Sequence, residues 1–182
     1  HRLIICGRRK EVLDNLQIQL SNFTDVYSLV FDVRNQQEVQ NAINSLPEEW
    51  KNIDVLVNNA GNAHGLEPIS DANISDWDAM MDGNVKGLLY VSQPIIKLMK
   101  ANNSGHIVNI SSVAARQTYA NGTVYCASKK AVDVISEGMR LELTEFGIKV
   151  TNVQPGAVET DFSKVRFKGD EERAATVYAG YE

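Results

Sequence analysis

The sequence predicts an α/β chain on a doubly wound parallel sheet in a single domain, and three observations predict it. Short apolar runs alternate with amphipathic stretches from end to end. The stretches between runs are long enough for helical crossovers, which parallel strands require. Several runs close on polar residues, Asp32, Asn58 and Ser112 among them, at the strand ends where open α/β sheets hold functional groups.

The elements follow in order. Leu3 to Cys6 reads as a strand and Lys10 to Leu20 as a helix. Val26 to Asp32 is the next strand. Gln36 to Leu46 is helical, with Val39, Ala42, Ile43 and Leu46 on one face. Val55 to Asn58 is a strand, and a loop with Gly61, Gly65 and Pro68 follows. A long helix is expected from Trp77 to Ala101, with Ser75 marking its start as an N-cap residue. His106 to Ser111 is a strand, Val124 to Phe146 a helix and Lys149 to Gln154 a strand. There is no internal repeat, low-complexity tract or second domain.

Composition excludes several classes of function. The 182 residues carry 18 Lys and Arg against 23 Asp and Glu. No basic stripe suggests nucleic acid or an anionic membrane. No apolar run approaches the length of a spanning helix, and no secretory leader is present in these residues. Cys6 and Cys126 make no disulfide framework; Cys126 reads as a small helix residue packed near a cofactor rather than a redox centre. The N-x-S/T matches at Asn22, Asn73, Asn102, Asn109 and Asn121 are taken as chance, and the expected compartment is the cytoplasm.

Tyr125 and Lys129 stand one turn apart in a helical segment, so both project from one face. A phenol titrates near ~10 and is a poor acid or base at neutral pH. An ammonium one turn away favours the phenolate and is expected to lower that pKa toward the range useful for proton transfer. Ser112 ends a buried strand. The three residues are suited to moving a proton on or off an alcohol oxygen, although a Tyr-x-x-x-Lys pair alone more often lies on a helix surface. Ser111, pointing to the other side of the strand, reads as structural.

Asn58-Asn-Ala-Gly61 after the run Val55-Leu-Val, Asn84-Val-Lys-Gly87 inside a helix, Ser112, Tyr125-Cys-Ala-Ser-Lys129, and Pro155-Gly156 after a strand occur in this order. With them, the chain resembles the short-chain dehydrogenase/reductase family from Arg2 to at least Asp161. The resemblance implies a Rossmann-like fold and an oxidoreductase acting on CH–OH groups. It makes Tyr125 the general acid in carbonyl reduction and the general base in alcohol oxidation. It gives Lys129 the tuning of Tyr125 and a contact to the nicotinamide ribose, and Ser112 a hydrogen bond to the substrate oxygen. Asn84 is expected to break the local helix ladder and hold a water that relays protons to Lys129; a polar residue on a solvated face is the other reading. Among cofactor residues it implies Asp32 and Val33 at the adenine, Asn58, Ala60 and Gly61 at the next strand end, and Pro155, Gly156, Val158 and Thr160 facing the nicotinamide. Dimers or tetramers through the long helices Trp77–Ala101 and Val124–Phe146 are expected by the same analogy.

The family pattern opens with a central strand and a glycine-rich turn that holds the pyrophosphate on a helix N-terminus. Neither is found in this sequence, which begins one residue before what resembles the family's second strand. It is therefore expected to be a partial domain, incomplete at both ends, with a substrate lid over about 161–182. Cofactor choice is legible at Cys6-Gly-Arg8-Arg9. An NAD site of this design carries a carboxylate at that strand end; here Gly7 is followed by two arginines, whose guanidinium groups suit a 2′-phosphate. NADP is the expected cofactor, the alternative being solvated surface arginines.

The lid run Phe162-Ser-Lys-Val-Arg-Phe-Lys-Gly-Asp170, with Asn121 to Tyr125 and Pro-Glu-Glu-Trp50, resembles the branch that oxidises serine and other 3-hydroxy acids with NADP. Arg166 among apolar neighbours is expected to pair a substrate carboxylate; pairing with Asp170 or Glu171 on the lid surface is the alternative. Thr118 and Tyr119 are expected to line the pocket without making chemistry. No metal site is expected. The competing functions are a reductase of other carbonyls, such as 3-oxoacyl thioesters or sugars, and a non-catalytic NADP-binding protein on the same fold.

Overall fold

The computed structural model describes residues 1–158 and 160–176, the side chains of 174–176 excepted. Five parallel strands form two sheets. β1 (Leu3–Gly7) pairs with β2 (Val26–Val30), Leu3 beside Val26 and Gly7 beside Val30. β4 (Gly105–Ile110) lies between β3 (Val55–Asn58) and β5 (Ile148–Val153). No ladder joins β1 to β3 among the described residues. Val55 and Val57 stay 52 % and 55 % exposed, unusual for a parallel sheet, whose faces are normally covered.

Helices connect the strands: α1 (Lys10–Leu20), α2 (Gln36–Asn44), α3 (Ile74–Met81), α4 (Gly87–Ala101) and α5 (Thr123–Leu143), followed by the short α6 (Asp161–Arg166) and α7 (Glu171–Thr176). The main core gathers Leu29, Val39, Ile43, Ile95, Met99, Ile107, Val132 and Val150 from both sheets and their helices. The face that the sequence predicts for α2 and its end, Val39, Ile43 and Leu46 with Ala42 packed against them, is buried in this core.

Among the boundaries that differ from expectation, four have a local reason. β2 ends at Val30 because the Asp32 amide turns from the ladder to the Glu38 carboxylate at 3.0 Å. Glu38 also accepts from Asn35 Nδ2, while Asn35 Oδ1 accepts from the Gln37 and Glu38 amides, which makes a reciprocal cap on α2. Asn73, not Ser75, caps α3: its Oδ1 accepts from the Ser75 amide at 2.9 Å. The expected single helix from Trp77 to Ala101 is two helices joined by a π turn, Asp82–Lys86. Beyond α5 a 3-10 turn runs from Thr144 to Phe146 and stops at Gly147, whose left-handed φ of 66° suits glycine at a helix end.

Candidate active site

β4 delivers Ser112 and α5 delivers Tyr125 and Lys129 to one end of the three-stranded sheet. Ser112 Oγ accepts from the Ala114 amide at 3.1 Å and so fixes the turn after β4. The Val113 amide donates to the Pro155 carbonyl at 3.0 Å, holding the turn after β5 beside Ser112. Ser111, as expected, is structural: it is buried and its hydroxyl lies 2.7 Å from Asp133 Oδ1 and 3.0 Å from the Lys129 carbonyl. Asn152 and Gln154 of the neighbouring strand and turn also donate to Asp133. This cluster locks α5 onto the ends of β4 and β5, and with it the position of both catalytic candidates.

The electrostatics depart from expectation. Tyr125 is buried, and burial raises its phenol pKa above the ordinary value; a hydrogen bond with Ser112 and the charge of Arg166 pull the other way, and Tyr119 adds to the rise. The expected lowering by Lys129 does not prevail. Lys129 Nζ lies 6.0 Å from the Tyr125 ring centroid and donates to the Ile110 carbonyl at 3.0 Å. Burial lowers its own pKa to about 8, because a cationic head group loses solvation there.

Asn84 is 1 % exposed and sits in the π turn, as the expected break in the ladder requires. The solvated-face reading is therefore excluded. Both its amide hydrogens are committed to protein, to the Asn62 carbonyl at 2.8 Å and Ser128 Oγ at 2.9 Å, and its Oδ1 accepts from the Asn62 amide at 2.7 Å. Through these bonds Asn84 clamps the loop after β3 to α5. A Cβ on Gly61 would lie 3.2 Å from both Asn84 Oδ1 and Lys129 Nζ, so glycine is what lets that loop close on the site. Cys126 is buried beside Ala63, Met80 and Ala114 and is a packing residue.

Other expected cofactor residues form a second group, at the ends of β1 and β2. Arg8 and Arg9 are exposed, Arg9 preceding α1 without capping it. Arg34 grips both oxygens of Asp32, with Nε at 3.0 Å from each and Nη2 at 2.6 Å from Oδ2. Val33 packs on α4, where a Cβ on Gly87 would meet its Cγ2 at 2.8 Å. The Asn58 side chain turns into the core, donating to Ser92 Oγ and Asn109 Oδ1, which leaves its backbone for any cofactor contact. Ala60, Gly61, Gly156 and Val158 are exposed and Pro155 is half-buried at the strand ends. The Thr160 hydroxyl caps α6 by accepting from the Phe162 amide at 3.3 Å.

Arg166 is 7 % exposed. Its Nε donates to the Gly65 carbonyl at 2.9 Å and its Nη1 to the Tyr119 hydroxyl at 3.1 Å, while the Gly65 amide donates to the Arg166 carbonyl at 3.1 Å. The guanidinium carbon is 5.7 Å from the Tyr125 ring centroid. Among the described residues no carboxylate lies within ion-pair distance of it, so pairing with Asp170 or Glu171 does not occur. The rival lid cations are occupied: Lys168 pairs with Asp76 at 3.0 Å, and Lys164 lies near Asp161 and Glu171. Arg173 pairs with Glu67 at 3.0 Å. These contacts dock α6 and α7 over a cavity lined by His64, Asp76, Trp77, Met80, Tyr125 and Arg166. The last six residues of the expected lid, 177–182, lie outside the described residues.

Asn62, Gly65, Tyr119 and Arg34 are the site residues that sequence reasoning missed or left without a role. Asn62 directly follows the Asn-Asn-Ala-Gly motif and Arg34 lies two beyond Asp32, but no spacing in the sequence signals their partners. Gly65 has a left-handed φ of 65°, and its chain position marks only a loop.

A parallel α/β sheet with Ser, Tyr and Lys converging at its strand ends defines a dehydrogenase of the short-chain type. The sequence profile of the short chain dehydrogenase family matches residues 1–171, and the chain belongs to that family. It is 44 % identical over 179 residues to the NADP-dependent 3-hydroxy acid dehydrogenase YdfG of Escherichia coli K12, covering 98 % of this chain and 71 % of that protein. The NADP-dependent 3-hydroxy acid dehydrogenase of Schizosaccharomyces pombe is 36 % identical over 183 residues, covering 100 % and 71 %. Among solved structures, the closed form of a serine dehydrogenase complexed with NADP+ superposes with a TM-score of 0.95 at 43 % identity, covering 100 % of this chain and 73 % of that one.

Proposed function

We propose that this protein is an NADP-dependent dehydrogenase of 3-hydroxy acids of the serine type, working in either direction between the hydroxy acid and the 3-oxo acid. The observation that carries the substrate class is Arg166: a buried guanidinium beside Tyr125, with aromatic faces and two neutral oxygens around it but, among the described residues, no carboxylate. Burying a charge without a counter-charge is costly. A substrate carboxylate supplies that counter-charge and sets the 3-hydroxyl at Tyr125. The names of the similar proteins support the same class.

The residues present suit the cofactor. Arg8 is a largely exposed guanidinium whose nearest carboxylate oxygen is 3.8 Å away, fit for a 2′-phosphate together with Arg9. At Gly61 a Cβ would crowd Asn84 Oδ1 and Lys129 Nζ at 3.2 Å. Asp32 and Val33 would flank the adenine. Backbone at Asn58, Ala60 and Gly61, and the turn from Pro155 through Gly156 and Val158 to Thr160, would hold the nicotinamide half together with Lys129. When bound, NADP accepts or returns the hydride at the carbinol carbon. Tyr125 removes the hydroxyl proton in oxidation and restores it in reduction. Ser112 donates to the same oxygen as negative charge develops there, and Lys129 supplies positive charge behind the phenol.

A reductase of other carbonyls needs no buried lid cation, so Arg166 favours the acid reading. Replacing Arg166 with Ala should lower kcat/KM for 3-hydroxy acids by ~10–100-fold, the scale of a lost charged hydrogen bond, and leave uncharged alcohols nearly unchanged. Equal losses for both would return the substrate to an unspecified carbonyl. The same reading includes a cytoplasmic homo-oligomer of two or four chains. Exposed Leu89 on α4 and exposed Val134 and Leu141 on α5 support an assembly face, and the 0 % exposure of Asn109 fits a chain whose glycosylation matches are fortuitous. No helix among the described residues is long and apolar enough to cross a membrane.

A further inference from the structure

We propose that Arg34 is a positioning residue for cofactor selectivity: by occupying Asp32 it leaves Arg8 available for the 2′-phosphate of NADP. The inference rests on the reading of Arg8 given above. Three groups meet at the ends of β1 and β2, one carboxylate and two guanidiniums that compete for it. Arg34 holds Asp32 through Nε to both oxygens and Nη2 to Oδ2, and its own amide donates to Oδ1 at 3.0 Å. Arg8 Nη1 reaches the same Oδ2 only at 3.8 Å, beyond hydrogen-bond distance. The two arginines differ in exposure as well, 66 % for the Arg8 side chain against 41 % for Arg34.

A carboxylate beside a phosphate site opposes binding in two ways. It repels the phosphate directly, and it can recruit the arginine meant for the phosphate into a bidentate pair. Arg34 counters both, because its fork balances the charge of Asp32 and fills the geometry Arg8 would otherwise take. The titration of Asp32 agrees: its pKa lies below the usual carboxylate value, with the Arg34 hydrogen bond the largest cause and the charge of Arg8 the smallest. The other charged group at this corner, Glu38, is turned to the Asp32 amide and to Asn35 Nδ2. Arg34 also feels Asp82, which Lys86 pairs at 2.8 Å.

The test is direct titration of NADP+ and NAD+ into the protein, read by calorimetry or fluorescence quenching, for four variants. Arg34→Met keeps most of the stem and deletes the fork. The expected result is an NADP+ Kd raised about tenfold, the scale of one charge-assisted contact, with the NAD+ Kd little changed. Adding Asp32→Asn to Arg34→Met removes the competing carboxylate and should restore most of the NADP+ preference. Arg34→Lys, which keeps charge but not the fork, should fall between. Arg8→Met is the fourth variant and tests the underlying reading separately: it should abolish the preference alone. If Arg8→Met collapses the NADP+ preference while Arg34→Met leaves it intact, the positioning role is wrong and the Arg8 reading stands. If Arg34→Met lowers the preference but Arg8→Met does not, Arg34 itself binds the phosphate and the proposal is overturned. Equal loss of both cofactors in Arg34→Met, or no recovery on adding Asp32→Asn, also overturns it.

Discussion

Lys129 carries a cost to the fold that its proposed role requires. Its ammonium is buried, with the Ile110 carbonyl as its hydrogen-bond acceptor, and its pKa falls from 10.5 to about 8. A depressed lysine pKa means that the unfolded chain binds the proton more tightly than the folded one. The destabilisation is therefore fully present below about 8 and is relieved as pH rises from there to 10.5. Lys129→Met should then stabilise the protein at pH 7, by up to ~3 kcal/mol before the loss of the Ile110 contact is subtracted, while destroying most of its turnover. Thermal denaturation across that pH window checks it, and the gain should shrink as pH approaches 10.5. A variant less stable than the parent at pH 7 would show that Lys129 is retained for structure. Tyr125 has the complementary problem: burial keeps the phenol protonated, which suits carbonyl reduction, while oxidation needs the proton drawn off and should quicken as the pH is raised.

At the scale of elements, the π turn between α3 and α4 converts an unfavourable helix residue into a clamp. Asn84 satisfies the amide and carbonyl of Asn62 and reaches Ser128 on α5, joining three segments through one side chain. Asn84→Ala leaves buried backbone groups without partners, at ~1–3 kcal/mol for each unsatisfied group. The loop carrying Gly61 should loosen with it, read as faster amide exchange at Asn62; unchanged exchange and stability would reduce the clamp to incidental contacts. Much of this architecture was legible in the sequence. The apolar period placed every strand and long helix, and Tyr125, Lys129 and Ser112 were visible because their spacing maps onto a helix turn and a strand end. Local competition was not legible. Nothing in the order of residues shows that Arg34 takes Asp32, that Asn35 and Glu38 draw the Asp32 amide out of β2, or that Asn58 turns inward to Ser92 and Asn109. Those outcomes depend on distances across the fold. The burial that raises Tyr125 above its usual pKa is likewise a property of packing, which an argument from the neighbouring Lys129 alone omits.

For the whole molecule, the sheet does one job: it brings the ends of β3, β4 and β5 to a common edge, where Tyr125, Arg166 and the loop carrying Gly61 meet. α6 and α7 complete that edge through Arg166, the Lys168–Asp76 pair and the Arg173–Glu67 pair. β3 keeps its valines exposed and no ladder ties it to the β1–β2 pair among the described residues, yet one core, with Leu29, Val39, Ile107 and Val150, joins the two sheets. The central question is whether that edge oxidises a hydroxy acid through Tyr125. The most direct measurement is the initial rate of NADP+ reduction with L-serine and other 3-hydroxy acids, for the parent and for Tyr125→Phe, alongside NADP+ binding to each. The account predicts turnover with NADP+ in preference to NAD+, and a fall of ~10²-fold or more in Tyr125→Phe, the scale of general acid–base catalysis, with NADP+ binding little changed. A Tyr125→Phe variant that keeps most of the parent's activity would contradict it.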